Sequence, residues 1–448
     1  MTRRRLTMKG ILLIALVVLV LPARPAAAQD QQQDSSKQPY TMAEYNAFQT
    51  ANAETKPDAR IKLLDDFVSK FPNSTLMQYV YALYYPAYTQ LKNYPKALEF
   101  TDKVVALGDK ADPLARLQAI QARVQLFPFV YDPKKPDAHD QLIKERDGAL
   151  LGIKLLQDLK KPKDSNLTDA QYADQKKPGI ALFYGAAGFA DLQLKDYPAA
   201  VEAFKAALAI KADDAVSWYR LGLAYLEMKP AHYMDGFWAV AKAINLKIPG
   251  DAQIKDYLRR QILAYEQPGC DSLADAQLNE LLQLAAGATD RPATYTIPSA
   301  DDLNKIRAAS NILTLITDLK AGGDKAKLTW LALCGAEFPE VVGKIIEVKP
   351  GADSVELHLF TGATPEEIEA ATSANLDVKV VGQSDAARLQ KGDGLRFSGT
   401  LVSYDPDPAF MLHWEKAKVN PEDIPAEKAA PGRRTPHKVP PKKPAGKQ

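Results

Sequence analysis

The spacing of hydrophobic residues changes once along this chain. Up to about residue 335, apolar side chains recur every three or four positions, beginning with Met42, Tyr45 and Phe48, which is the spacing of one face of an amphipathic helix. From about residue 336 the spacing becomes two, as in strands, and Pro and Gly separate the short segments. The pattern predicts a mainly α fold, followed by five short strands that fit a small β-barrel.

Proline and polar clusters predict where the helices stop. A helix is predicted over residues 113–126, and the prolines within 127–136 predict a loop because proline is poorly tolerated inside a helix. The polar stretch 161–177 predicts a second loop. Farther along, Ser299 followed by acidic residues is a helix start signal, and one helix is predicted over 300–319.

A repetition of 34 residues lies between residues 180 and 249. Positions of the motif W-x-x-L-G-x-x-Y are held by Trp218, Leu221, Gly222 and Tyr225. In the preceding unit, Tyr184 and Gly188 hold the first and fifth positions. A 34-residue period of paired helices resembles the tetratricopeptide repeat (TPR) family. The resemblance implies that helix-packing positions are occupied by Tyr184, Gly188, Ala200, Phe204, Trp218, Leu221, Gly222 and Tyr225.

The same resemblance implies a binding surface. In the family, the first helix of each repeat lines a concave groove that holds an extended or helical segment of a partner. The groove positions in this sequence are Tyr79, Leu182, Gly185, Phe189, Tyr219 and Leu223. For each residue taken alone, the alternative is ordinary core packing. As a set, tyrosines on a rigid scaffold suit peptide capture.

Weaker units precede this pair. Tyr81 stands at the first signature position of an earlier repeat, 103 residues before Tyr184, which is one more than three periods of 34. The near-match suggests that the helices expected at 113–126 and 138–160 also occupy repeat positions. A TPR-type α-solenoid is therefore predicted over residues 42–266.

Residues 267–335 stay helical but lose the 34-residue phase, so they form an atypical helical segment. This segment contains the two cysteines of the chain, Cys270 and Cys334. In an oxidising compartment they could form a disulfide across a loop of about 64 residues. Two separate buried thiols are the alternative, and the sequence leaves both open.

Five alternating segments lie in residues 336–420 and resemble an OB-fold barrel. The predicted strands cover residues 341–348, 355–360, 376–380, 394–401 and 410–414. One departure is that the helix-forming segment 365–374 falls between strands two and three, whereas the family's helix lies between strands three and four. The resemblance places a ligand surface on strands two and three, at His358, Phe360 and Lys379.

The first 28 residues have the features of a secretory signal peptide. Basic residues precede the apolar run 11–21, and three alanines ending at Ala28 supply a cleavage site. The run is shorter than the roughly 20 residues that a spanning helix needs, and Pro22 follows it. The mature protein is therefore expected to be secreted or periplasmic, with a disordered leader over residues 29–41.

Charge is unevenly distributed. The chain has a formal charge of +2, with five basic residues in 1–28, six in 429–448 and no acidic residue in either segment. Removing those eleven charges leaves the body at −9, which is not a nucleic-acid footprint. Residues 421–448 are predicted to be a disordered tail rich in Pro and Lys. Membrane contact would be peripheral at most, through this tail.

No catalytic motif is present. The sequence has no H-E-x-x-H, no G-x-S-x-G, and no phosphate-binding or dinucleotide-binding loop. The five histidines are scattered singly along the chain, so none is predicted to be a metal ligand. No catalytic residue, metal or cofactor is expected.

These observations predict a non-catalytic scaffold that binds envelope or secreted proteins through its helical groove. Two alternatives stay open from sequence. One is an envelope protein that binds carbohydrate with the OB-like barrel. The other is an enzyme whose site lies in residues 267–335.

Overall fold

The computed structural model describes residues 39–426. The predicted signal peptide (1–28), most of the predicted leader (29–41) and residues 427–448 of the predicted tail lie outside this range. No helix among the described residues combines the length and the apolar character needed to cross a membrane.

The described chain forms two compact units. The first contains residues 39–262 and 277–296, and the second contains residues 263–276 and 297–426. The chain therefore passes from the first unit to the second, returns, and enters the second again. The predicted segment 267–335 is divided between the two units.

Helices account for most of the described residues before residue 335. Those whose residues lie mainly in the first unit are α1 (Met42–Ala53), α2 (Pro57–Lys70), α3 (Met77–Gln90), α4 (Tyr94–Ala106), α5 (Pro113–Val130), α6 (Ala138–Asp158), α7 (Asp169–Leu194), α8 (Tyr197–Ile210), α9 (Ala215–Glu227), α10 (Tyr233–Asn245), α11 (Asp251–Glu266) and α12 (Leu273–Gly287). From α1 to α10, each helix contacts the next one. Both α11 and α12 contain residues of the two units.

Side-chain caps fix several helix starts. Thr41 accepts a hydrogen bond from the Glu44 N–H, and the Glu44 carboxylate accepts one from the Thr41 N–H, which completes a capping box. Thr168 forms the same box at the start of α7. The predicted cap at Ser299 is also a capping box, formed with Asp302. Each box satisfies backbone donors that a helix end would otherwise leave unpaired.

Three sequence predictions about helix ends are wrong. Helix α5 continues to Val130 with Pro128 inside it, so the predicted loop begins four residues later than expected. Pro128 lies two residues from the helix end, so the one backbone hydrogen bond that it removes is in the last turn and not in the middle of the helix. Helix α7 begins at Asp169, so the loop predicted over 161–177 ends nine residues earlier than expected. The helix predicted over 300–319 is two helices, because Asn311 accepts hydrogen bonds from two backbone N–H groups and starts a new one.

The second unit carries three short helices before the barrel. They are α13 (Ala300–Ala309), α14 (Ile312–Ala321) and α15 (Gly323–Leu333). Cys270 and Cys334 form a disulfide, with their Cα atoms 5.4 Å apart. Close backbone packing accompanies it: the Gly269 N–H donates to the Leu331 carbonyl at 2.8 Å, and a Cβ added at Gly269 would overlap the Cys334 carbonyl oxygen.

Residues 337–419 form a closed five-stranded barrel, which agrees with the predicted strands. The elements are β1 (Glu337–Pro350), β2 (Ser354–Phe360), α16 (Pro365–Ala370), β3 (Leu376–Val381), β4 (Gly394–Asp405) and β5 (Met411–Val419). The strand order is β1-β2-β3-β5-β4, and β3 and β5 run parallel. A short 3₁₀ helix, Ser384–Arg388, occupies the connection where the OB-fold has its helix. Buried side chains such as Leu357, Val378 and Trp414 fill the interior.

Candidate functional site

Alternate helices of the first unit form a continuous row. Helix α3 contacts α5, α5 contacts α7, and α7 contacts α9. We call these four helices the odd-helix row. Such contacts between the first helices of successive pairs build the inner surface of a helical repeat array.

The predicted groove residues lie on three helices of this row. Tyr79 is on α3, Leu182 and Phe189 are on α7, and Tyr219 and Leu223 are on α9. Tyr79 is 43% exposed and its ring is tilted against Phe48, with centroids 6.2 Å apart. The other four side chains are partly buried. All five thus keep some surface available, and none is a fully buried core residue.

A cation lies beside Phe189, one member of this set. The guanidinium of Arg220, on α9, sits over the ring of Phe189, 4.5 Å from its centroid, and the Tyr131 ring packs edge-on against Phe189. Burial lowers the pKa of Arg220 to about 10, and the charge of Asp214 opposes that shift. Within residues 39–426 no carboxylate forms a salt bridge with Arg220. A desolvated cation beside an aromatic ring favours an acidic group in a bound segment.

The predicted helix-packing residues lie between the helices. Ala200, Phe204 and Leu221 are at most 3% exposed. A Cβ added at Gly188 would lie 2.9 Å from the Phe204 ring, and one at Gly222 would lie 2.6 Å from Val240. The two glycines therefore permit close contact of α7 with α8 and of α9 with α10.

Three of the four aromatic members of that set, Tyr184, Trp218 and Tyr225, are partly buried. Trp218 donates its indole N–H to the Ala212 carbonyl at 2.8 Å, and the Tyr225 ring stacks on His232 with centroids 5.8 Å apart. Tyr184 packs against the buried cluster that includes Phe183. These contacts fix the positions of α7 and α9 in the odd-helix row.

Comparison with known proteins supports this description of the helices. Residues 188–229 match the family model of the TPR repeat. Among solved structures, the chain is similar to the C-terminal part of a TPR repeat-containing protein from Cytophaga hutchinsonii, at 15% identity. That similarity covers 55% of this chain and 95% of the other, with a TM-score of 0.24. No curated protein sequence matches the chain. Together with the contacts between successive helices, the match over residues 188–229 shows a TPR-like arrangement, which is followed by a closed five-stranded barrel.

A buried ion cluster among the TPR-like helices was not predicted from the sequence. Arg123 on α5 pairs with Asp102 on α4 and with Glu145 on α6, and Arg123 Nε lies 3.2 Å from Glu145 Oε2. Arg123 and Glu145 are each 2% exposed. Burial raises the pKa of Glu145 to about 7 despite the opposing charge of Arg123. Because both residues also fit the polar face of an isolated helix, their spacing gave no signal.

A row of polar residues on the outer surface of the barrel was also not predicted from the sequence. Four strands place Glu347, His358, Asp377 and His413 side by side, each a cross-strand partner of the next. His413 Nδ1 lies 2.9 Å from Asp377, and its Nε2 lies 2.8 Å from Asp405. His358 and His413, which are far apart in sequence, therefore both lie beside the Asp377 carboxylate.

A β-bulge explains how Glu347 joins this row. In β1, Ile345 faces the interior opposite Leu359, and the register then shifts so that Glu347 pairs with His358. One extra residue reverses the inside–outside alternation of the remaining strand. Glu347 and Lys349 consequently lie on the outer surface. The outward positions of β2 and β3 were readable from alternation, but the bulge was not.

The ligand positions implied by the OB resemblance lie on β2 and β3. His358 is 19% exposed, Phe360 is partly buried and Lys379 is exposed. Lys379 is the cross-strand partner of Glu356. The surface at this place is therefore charged rather than aromatic, and its chemistry is that of the His and carboxylate side chains.

Proposed function

We propose that this protein is a non-catalytic scaffold that binds a segment of a partner protein along the odd-helix row. The observation that carries the proposal is the partial exposure of Tyr79, Phe189 and Tyr219 on helices that contact one another in series. Aromatic side chains on rigid elements supply large contact area at low entropic cost. The TPR-like arrangement of the helices supports the same mode of action.

The chemistry of the row favours one kind of segment. Phe189 and Arg220 together offer an aromatic face and a desolvated positive charge without a salt-bridge partner among the described residues. A segment with an apolar residue next to a carboxylate would complement both. We propose that the partner presents such a segment.

We further propose that the protein acts outside the cytoplasm, on envelope or secreted partners. The signal-like residues 1–28 and the disulfide between Cys270 and Cys334 support this location. The test is fractionation of cells that express the full chain, with sequencing of the mature N-terminus. A start near Gln29 in the extracytoplasmic fraction is expected, and an uncleaved cytoplasmic chain would contradict the proposal.

Partner capture tests the binding surface. The full chain and a variant with Tyr79, Phe189 and Tyr219 changed to Ala are used to retain proteins from a detergent-solubilised envelope extract. A matched control changes three exposed apolar residues outside the odd-helix row, Leu150, Tyr233 and Leu246. Partners kept by the wild type and the control but lost by the first variant would support the proposal. Equal retention by all three proteins would overturn it.

A second measurement tests whether the positive charge of Arg220 contributes to partner binding. With the retained partner, Arg220→Met is expected to weaken binding about tenfold or more, because the apolar stem remains and the charge is lost. The control is Lys211→Met, an exposed cation just before α9. Equal binding by the two variants would rule out an acidic group at Arg220.

A further inference from the structure

Three potential metal donors converge on the outer surface of the barrel. Glu356 and His358 lie two residues apart on β2, and Asp377 is the partner of His358 on β3. His358 Nε2 lies 2.9 Å from Glu356 Oε1 and 3.8 Å from Asp377 Oδ1. The three donor atoms all lie within 4.8 Å of one another. Donors bound to one tetrahedral zinc ion are about 3.3 Å apart, so small side-chain shifts would suffice.

The remaining polar atoms of these ligands already have partners. A metal on His358 Nε2 requires the proton on Nδ1, and Glu347 Oε2 lies 3.2 Å from Nδ1 to accept it. Asp377 Oδ2 lies 2.9 Å from His413 Nδ1. Metal-binding histidines and carboxylates are commonly oriented by such outer hydrogen bonds. The neighbours of the cluster therefore hold Nε2 and Oδ1 toward one another.

Two further observations show that the cluster favours a cation. Asp377 Oδ1 is fully buried and has no hydrogen-bond partner among the described residues. The ammonium of Lys349 lies 3.4 Å from His358 Nε2 and 3.9 Å from Glu356 Oε1. The cluster thus attracts a cation, and Lys349, which is 48% exposed, can move away into solvent.

We propose that Glu356, His358 and Asp377 form a binding site for a divalent transition metal of the zinc class. An imidazole donor favours zinc over magnesium or calcium, which prefer sites made only of oxygen ligands. Three protein ligands leave at least one coordination position open for water or for a side chain of a partner. The site lies in the second unit and does not depend on the odd-helix row.

Zinc titration of the metal-free full chain tests the proposal, with a chromophoric chelator as competitor. The wild type is expected to bind one Zn²⁺, and Co²⁺ is expected to give visible absorption bands typical of nitrogen and oxygen ligands. His358→Gln and Asp377→Asn should each weaken zinc binding by at least about tenfold, and Glu347→Gln should weaken it about 10- to 100-fold. The control is His139→Gln, a side chain 71% exposed on α6.

Lys349→Met tests the proposal in the opposite direction, because this variant is expected to bind zinc more tightly than the wild type. If the ammonium and the metal compete for the same donors, removing the ammonium should tighten zinc binding several-fold, a gain that a misfolded variant would not show. Circular dichroism of each variant checks the fold. The proposal is overturned if the wild type has no saturable zinc site, if His358→Gln binds as tightly as wild type, or if calcium binds as well as zinc.

Discussion

Arg123 and Glu145 face each other across two helices, with 3.2 Å between Nε and Oε2 and almost no solvent contact. Asp102 adds a second carboxylate to the same guanidinium. Three consecutive helices, α4, α5 and α6, are thereby joined by one cation. The cluster has no role in the proposed binding, so its effects should appear in stability.

Arg123→Met is expected to destabilise the first unit by about 3–5 kcal/mol, because it leaves the buried Glu145 carboxylate without a counter-charge. Glu145→Gln should cost less, since Arg123 keeps Asp102 as its partner. Urea unfolding followed by circular dichroism at pH 7 compares the two variants. Equal losses would show that the cation is not what holds the cluster together.

The raised pKa of Glu145 predicts a pH dependence. Its folded pKa is about 7, above its ordinary value of 4.5, so the folded chain keeps a proton that the unfolded chain loses. The stabilisation from this protonation is complete below about pH 4.5 and is lost as the pH rises through about 7. Urea unfolding at pH 5 and pH 7.5 should therefore show that Glu145→Gln becomes less harmful, relative to wild type, at the higher pH. A constant difference between the two proteins would contradict the assignment.

Gly222→Ala should destabilise the contact between α9 and α10. The added Cβ would lie 2.6 Å from Val240 Cγ2 and 2.9 Å from the Gly236 carbonyl oxygen, and such overpacking costs about 1–3 kcal/mol. The matched control is Gly287→Ala at the end of α12, where no atom lies within 4 Å of the added Cβ. Thermal unfolding should show a lower midpoint for the first variant only, and a shift of equal size in both would remove the packing explanation.

Reduction of the disulfide should weaken the second unit. Cys270 and Cys334 close a loop with a sequence separation of 64, which is worth on the order of 4 kcal/mol in the chain-entropy model. The disulfide is removed in a double variant, Cys270→Ser with Cys334→Ser. Hydrogen exchange measured by mass spectrometry should become faster in the barrel strands, while exchange in α3 to α9 serves as the internal control. Unchanged exchange in the barrel would mean that the disulfide adds little stability.

Helix existence and helix packing were predictable because their signals are local. The motif around Trp218 and Gly222 and the alternation in β2 depend on spacings of two to four residues, which a linear sequence displays directly. The same applies to the cap at Ser299. Repeat identity at 188–229 could likewise be read from a 34-residue period.

Predictions from local sequence signals were wrong at two helix boundaries. Pro128 stays helical in the last turn of α5, and Asn311 splits a continuous apolar pattern because its side chain caps a new helix. Between the helix pair α3–α4, which carries Tyr81, and helix α7, which carries Tyr184, lies one helix pair with helices of 18 and 21 residues, rather than two repeats of ordinary length. Period counting cannot separate these two cases.

The polar row on the barrel surface could not be predicted from the sequence, for a different reason. His358, Asp377 and His413 become neighbours only through strand pairing, and the parallel pairing of β3 with β5 brings together residues 36 positions apart. The bulge in β1 then decides that Glu347 faces outward. Neither the strand order nor the position of the bulge can be predicted from the spacing of single histidines.

The division of the chain into interleaved units has a consequence for its synthesis. Residues 263–276 belong to the second unit but precede residues 277–296 of the first. Cys270 therefore leaves the ribosome 64 residues before Cys334, so their disulfide cannot form until the last part of the helical unit has been made. The two units cannot be separated by a single cut, and a barrel fragment that begins at residue 336 would lack both halves of its own disulfide.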